Sequence, residues 1–389
     1  MGRTITVAAI QMDASPAPTA DRLQRAHRLV VEAATAGAEL VVLPELFNLG
    51  YHYSDDNYHH AESLTGPTVQ WLRQTAARHN LHLAGSLLLV EGREIYNSLL
   101  LCAPDGRQWR YDKQYPWAWE RGYFRAGAGG LTVARTALGN IGFLICWDTA
   151  HRNLWRQYAG QVDLMLISSC PPDVSNPTYH LPGGQTLTLA NLGPAMARLK
   201  EGGRQLFFTM VNQQTTWLGV PAVHAAVTGH CRTAIPNGVA SLVGLLPTAP
   251  WLAQYLPQAQ ALELSCDFVP ACRVIDAQGR LAGAPPVDRE GVALAVVELA
   301  CSRPHPLGPQ PASPLPWVSY LFSDIVQPRL MTAHYRRKLD QRWRTVPASH
   351  RRRWWVWLLV TLLAGLGVAL LWRWYCHPRV WPHFVDTHR

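Results

Sequence analysis

No Cys-x-x-Cys pair occurs in this chain of 389 residues, although it holds eight cysteines scattered from Cys102 to Cys376. That absence removes the usual zinc-finger and dithiol redox spacings, and the length removes a small disulfide-framed domain. The thiols read as reduced and mostly buried. Charge is scarce too. Only 16% of residues are charged while 48% are hydrophobic, so some apolar surface is expected to face something other than protein. No glycine-rich phosphate loop stands at a strand-to-helix junction, which excludes a nucleotide cradle, and no cofactor is expected. The opening MGRTITVAAIQM runs straight into an alternating strand with no long apolar stretch or small-residue cleavage site before it. No signal peptide is therefore expected, and the N-terminal body is expected to be cytoplasmic.

Acidic residues run short in one place above all. Residues 302–389 carry 13 Lys and Arg against 3 Asp and Glu, so the formal net charge of +9 belongs entirely to the last quarter of the chain. Basicity confined to one segment argues against a nucleic-acid-coating protein and for a local anionic partner. The same quarter holds the longest apolar run. Trp354 to Trp372 is 19 residues without a charge, which as a helix spans roughly 28 Å, close to the hydrocarbon thickness of a bilayer. Tryptophans stand at both of its ends, and a cluster that includes Arg351, Arg352 and Arg353 precedes it. The reading is a single-pass transmembrane helix in the inner (plasma) membrane, with the large N-terminal part cytoplasmic, a short exported tail at 373–389, and anionic lipid headgroups held at 329–353.

Ahead of that segment the chain alternates strands and helices. A strand at 4–12 is followed by an amphipathic helix at 19–36, then the short buried strand of ELVVLPE. A helix is expected around 67–79, two strands joined at Glu91-Gly92-Arg93, a strand ending at Cys146, and a helix around 152–159. The strand VDLMLISS, a helix around 186–200, the strand LFFTMVN and a closing pair, CRVIDAQG and GVALAVVEL, complete the order. Strands apolar on nearly every position belong to sheets covered on both faces, so a layered α/β body is expected over residues 1–301. The loosely periodic stretch 213–265 reads as an insertion, and 302–316, SRPHPLGPQPASPLP, as a proline-rich linker. The mixed aromatic and basic stretch 317–346 reads either as a helix on a membrane surface or as one packed on the body.

Three strand ends carry polar groups that a buried strand would not ordinarily hold. Glu45 closes VVLPE, Lys113 lies in YDKQYPW, and Cys146 closes GFLICWD. A carboxylate, an ammonium and a thiol brought to one pocket divide the work of acyl transfer. Cysteine attacks as thiolate and needs a base, an acid of raised pKa can supply that base, and an ammonium can hold the negative charge that develops on the substrate. The histidines add no equally specific pattern. His151 follows Cys146 by five residues without the context of a Cys–His dyad, and His52, Asp55, Asp56, His59 and His60 read as loop residues, with no metal expected.

LVVLPELFNLGY, YDKQYPWAWERGYFRAG and GFLICWD, in that order, resemble the motifs of the nitrilase (carbon-nitrogen hydrolase) superfamily. VDLMLISS, FFTMVN and the closing pair match less closely but in order, so the resemblance covers about residues 4–300. It implies an αββα sandwich, a Glu45, Lys113 and Cys146 catalytic triad, and dimers or higher homo-oligomers. It also implies a further site carboxylate at Glu120, seven residues past the lysine. Trp147 is then the natural backbone oxyanion donor, with Tyr51 and Asp148 lining the substrate. The nitrilase branch usually shows Cys-Trp-Glu where this chain has Cys146-Trp147-Asp148. The implied activity is hydrolysis of a small-molecule amide, carbamoyl compound or nitrile through a thioester or thioimidate. Acyl transfer to an amine, and an idle membrane scaffold, remain open as alternatives.

Overall fold

The computed structural model describes residues 2–173, 177–193, 197, 202–247, 249–286, 288–306 and 308–343. The apolar run at 354–372 lies outside them, and among the described residues no helix is long and apolar enough to cross a membrane.

The main sheet is assembled from β1 (Arg3–Asp13), β2 (Leu40–Val42), β3 (His82–Glu91), β4 (Glu94–Cys102), β5 (Gln108–Asp112), β6 (Val133–Thr136), β7 (Gly139–Ile145) and β8 (Leu164–Ser169). A small antiparallel sheet uses β9 (Thr178–His180) and β10 (Thr186–Leu187). Then come β11 (Ala222–Thr228), β12 (His230–Ala234), β13 (Glu263–Asp267), β14 (Arg273–Ile275), β15 (Leu281–Gly283) and β16 (Gly291–Leu299). The strand order β5-β4-β3-β2-β1-β11-β8-β7-β6 is joined by β16 on β1, by β14 on β11 and by β15 on β14, while β10-β9-β13-β12 stand apart.

Alternation along each strand folds this sheet into layers. In β1, Ile5, Val7 and Ala9 point to a core shared with Ile141, Phe143 and Ile145 of β7 and Leu164 and Leu166 of β8. The intervening Ala8, Ile10 and Met12 face the helices Thr19–Thr35 and Pro67–His79. On the other half, Leu144, Met165 and Ile167 face the helices Arg152–Tyr158 and Val211–Leu218. Two half-sheets thus meet at their inner faces with helices outside each, the four-layer αββα arrangement. Gly142, in the strand that leads to Cys146, is required by close approach: a Cβ there would lie 2.6 Å from Met165 Sδ.

The middle of the chain departs from the sequence reading. LFFTMVN is not a strand but helix, π-helical over Gln205–Met210 and α-helical over Val211–Leu218. Its buried positions Leu206, Phe207, Met210, Val211, Gln214, Thr215 and Leu218 keep a helical period that the unbroken apolar run disguises. The strand in that place is β11, AVHAAVT, buried at all seven positions and paired in parallel with β1 and β8. Residues 213–265 are therefore not one insertion. They hold a central strand, and only the residues after β11 form the side layer with the small sheet. Of the helix expected at 186–200, the described part is β10 and a 3-10 turn at Leu189–Leu192.

Beyond the sheets the chain turns back over the body. The proline-rich stretch lies along it as a strap, with Trp217 Nε1 donating to Gly308 O at 3.1 Å and Arg152 Nη2 to Gln310 O at 2.8 Å. The helix Gln327–Trp343 buries Met331, His334, Tyr335 and Leu339 against it. Of the two readings of this segment, packing on the body is the one observed. Lys338 pairs with Asp55, and the Tyr335 hydroxyl donates to Glu94 Oε2 at 2.8 Å while accepting from the Ile95 N–H at 3.0 Å.

Tyr335→Phe removes both bonds and strands a buried N–H, which costs about 1–3 kcal/mol. Urea unfolding should show a correspondingly lower midpoint for Y335F; an unchanged midpoint would mean this helix is not docked on β4.

Candidate active site

Strands β1, β2, β3, β7, β8 and β11 run parallel, so their C-terminal ends share one edge of the sheet, where open α/β sheets bind ligands. Strands β4 and β5 reverse direction twice, which brings the end of β5 to the same edge. Glu45 follows β2, Lys113 follows β5, Cys146 follows β7 and Cys170 follows β8.

Lys113 is the meeting point. Its side chain is fully buried, with Nζ 2.8 Å from Glu45 Oε1 and 2.6 Å from Glu120 Oε2. Glu45, also fully buried, accepts from Asn97 Nδ2 at 2.7 Å and from the Cys170 N–H at 2.8 Å. Asn97 is oriented in turn by Ser86, whose hydroxyl donates to Asn97 Oδ1 at 3.0 Å and accepts from the Leu46 N–H at 3.1 Å. Glu120 sits in the 3-10 turn Ala118–Gly122 and accepts the Trp117 N–H at 2.7 Å. Cys170, whose N–H binds Glu45, lines the same cavity as Cys146 and Glu120, which brings thiol and carboxylate to one site.

Burial and charge set the proton states. Burial alone would lower the Lys113 ammonium, but the carboxylates of Glu120 and Glu45 outweigh it and hold the group well above the ordinary lysine value. Burial pushes the Cys146 thiol up, and the neighbouring Glu45 pushes it further against the pull of Lys113, so the resting sulfur carries its proton. Burial raises Glu120 to about 7, against the opposing pull of Lys113 and with a further push from Glu45.

Cys146 stands on a constrained turn. Cys146 has φ +48° at the junction of β7 and the 3-10 turn Cys146–Ala150, and the flanks of the two acids, Leu46 and Ala118, also have positive φ. Residues other than glycine seldom adopt this region, and such positions cluster at functional sites.

Asp148 does not line the substrate space. It is fully buried and accepts from Tyr111 OH at 2.8 Å, the Tyr115 N–H at 2.8 Å and the Ile145 N–H at 3.2 Å. A carboxylate so fully engaged ties the lysine loop to the cysteine turn and has nothing left for a ligand. Tyr51 is likewise not among the described residues lining the cavity; its hydroxyl is 2.6 Å from that of Tyr53 and its ring edge-on to Phe268. His151 is not a dyad partner of Cys146: its ring nitrogens meet Trp147 O at 3.1 Å and Asp324 Oδ2 at 2.9 Å.

A cavity of about 100 Å³ opens on Cys146, Glu120 and Trp147. Asn97, Ser86 and Cys170 do not stand out in the sequence motifs. Asn97 and Ser86 are polar interruptions in apolar strands, a legible signal of a buried network. Cys170 contributes through its backbone, which no side-chain pattern reveals.

The comparisons with known proteins bear on this geometry. The family model described as carbon-nitrogen hydrolase matches residues 6–304. Among similar curated proteins are Nitrilase 3 of Arabidopsis thaliana, 31% identical over 37% of this chain and 48% of that protein. The bromoxynil-specific nitrilase of Klebsiella pneumoniae subsp. ozaenae is 30% identical over 46% of this chain and 55% of its own length. The chain spans about half the length of these relatives. Among solved structures, an amidase from Nesterenkonia sp. superposes with a TM-score of 0.55 at 16% identity, covering 78% of this chain and 93% of that one. Saccharomyces cerevisiae Nit3 does so at 0.55 and 18%, covering 76% and 90%, and both show likeness of fold. With three strand-end motifs converging at one sheet edge and a family model spanning the whole sandwich, the chain belongs to the carbon-nitrogen hydrolase family.

Proposed function

We propose that this protein is a membrane-tethered hydrolase of a non-peptide amide, carbamoyl or nitrile carbon-nitrogen bond, with Cys146 as nucleophile. The observation that carries the reading is the buried ammonium of Lys113 held between Glu45 and Glu120 beside a protonated thiol at the mouth of an apolar cavity. For an amide, Cys146 Sγ bonds to the carbonyl carbon, its proton passes to Glu45, and the carbonyl electron pair moves onto oxygen. Lys113 and the backbone N–H of Trp147 face that oxygen, and a lost donor of this kind costs roughly 3–4 kcal/mol of transition-state stabilisation. The carbon-nitrogen bond then breaks as Glu45 returns the proton to nitrogen, and ammonia leaves a thioester on Cys146. Water gives a proton to Glu45 as it adds to the thioester, the carbon-sulfur bond breaks, and the thiol recovers that proton. Glu120 shares the charge of Lys113 and so keeps the ammonium in place while Glu45 cycles.

The tether belongs to the same reading. The uncharged run 354–372 comes after a helix whose outward Arg329, Arg336 and Arg337 are exposed. These arginines would face anionic headgroups from the cytoplasmic side of the inner membrane.

Cys146→Ala should abolish ammonia release from small amides and nitriles, by roughly 10⁴-fold or more, with the circular dichroism spectrum unchanged. Undiminished release would refute the assignment. A second outcome comes from Glu120. Its carboxyl has an ordinary value of 4.5 and is raised to about 7 in the folded site. Within that window the folded protein keeps a proton that the unfolded chain has released, so this group's contribution to stability falls as pH rises, by up to about 3 kcal/mol. The melting temperature of Glu120→Gln relative to wild type should therefore shift in the variant's favour between pH 4.5 and pH 8; a pH-independent difference would count against the raised value. Deleting residues 354–389 should release the protein from membranes resistant to alkaline carbonate, and retention of the shortened chain would sink the tether.

A further inference from the structure

The walls of the cavity beside Cys146 are apolar almost throughout. Trp119, Tyr179, Leu206 and Phe207 form much of them, and the roof is Leu315 with Phe322. Among the described wall residues there is no Lys, Arg or His, and the one carboxylate is Glu120, already held by Lys113. A substrate carboxylate or ammonium would enter without a partner, at the heavy cost of burying an unpaired charge. Size is restricted as well. At about 100 Å³ the space is of the same order as the 150 Å³ apolar cavity known to accept benzene, so its capacity is a branched four-carbon chain or about one ring.

The roof lies outside the part of the chain that matches the family, which ends at residue 304. It is nevertheless fixed to the nucleophile's own turn. Trp147 Nε1 donates to Asp324 Oδ1 at 3.0 Å, His151 Nε2 meets Asp324 Oδ2 at 2.9 Å, and Tyr320 OH donates to Ala150 O at 2.8 Å. Three bonds from residues 320 and 324 to residues 147, 150 and 151 hold the segment that carries Phe322 against the turn that carries Cys146. Trp147 is at once cavity wall and anchor for the roof.

We propose that the site accepts a neutral, apolar acyl group no larger than one ring, and that the chain beyond residue 304 sets this limit through Leu315 and Phe322. The proposal rests on the hydrolytic reading for its reaction, but not for its binding test. Isobutyramide and benzamide should bind the Cys146→Ala protein, measured by calorimetry, at least about 100-fold more tightly than succinamate or glycinamide. In otherwise wild-type protein, Phe322→Ala, or Phe322→Leu should the first fail to fold, should raise kcat/KM for 1-naphthamide relative to isobutyramide at least about tenfold. The same substitutions combined with Cys146→Ala should show the shift in binding. Tighter binding of the charged amides, or a naphthamide to isobutyramide ratio untouched at Phe322, would overturn the proposal and leave the hydrolase standing. Binding in the expected order without any turnover by the wild type would support the acyl pocket and sink the hydrolase.

Discussion

A single buried ammonium organises this protein. Lys113 has no exposure, and a charge without water is tolerated only where every donor is met and the geometry is close to ideal. Two carboxylates meet it, but each brings its own charge out of water and must be satisfied in turn. Glu45 draws on Asn97 and the Cys170 N–H, Asn97 on Ser86, and Glu120 on the Trp117 N–H. One ammonium cannot neutralise two carboxylates, and burial resolves the surplus by raising Glu120 towards neutrality. The proton that such a site holds near pH 7 is therefore a consequence of its packing.

The same constraint explains how three distant motifs keep register. Lys113 stands between Tyr111 and Tyr115, and both of these bond to Asp148, which also caps the Ile145 N–H just before Cys146. One carboxylate thus sets the position of the ammonium relative to the sulfur without touching the reacting space. Glu45 is held differently, through the backbone N–H of Cys170 at the end of β8, the strand beside β7. The positive φ at Leu46, Ala118 and Cys146 marks where the backbone turns sharply to present these groups, a strain of about 1–3 kcal/mol at each residue that the surrounding network must hold.

The same physics decides which features are legible in the sequence. Glu45, Lys113 and Cys146 stand out because each ends an apolar run, and a polar residue there has a reason. The layered fold is readable from strands apolar on both faces. The central β11 is not, because AVHAAVT is rich in alanine, a weak strand former, while LFFTMVN next to it has the aromatic and β-branched look of a strand. Its helix is imposed by the two surfaces it bridges, with Leu206, Phe207 and Met210 in the inner core and Val211 on the outer face of β7 and β8. Asp148 and Tyr51 are spent on hydrogen bonds within the protein and do not line the described cavity wall, since adjacency in sequence to a site residue says nothing about which way a side chain turns. The packing of 327–343 on the body is ambiguous in sequence for a related reason: a face of Met331, His334, Tyr335 and Leu339 suits a protein surface and a membrane interface alike.

The roof over the cavity gives that last segment a mechanical meaning. Residues 315–326 are bonded to the turn that carries Cys146, and the helix that continues them is pinned at Asp55, Glu94 and Ile95. The last described helix, which ends at Trp343, is therefore continuous with an element bonded to the turn that carries Cys146. Any displacement of that helix must strain the bonds that Asp324 makes to Trp147 and His151 or deform the turn that carries Cys146, because packed elements shift between discrete arrangements and do not stretch. The closeness of the cavity is thus a property of residues that lie beyond the part of the chain matching the family.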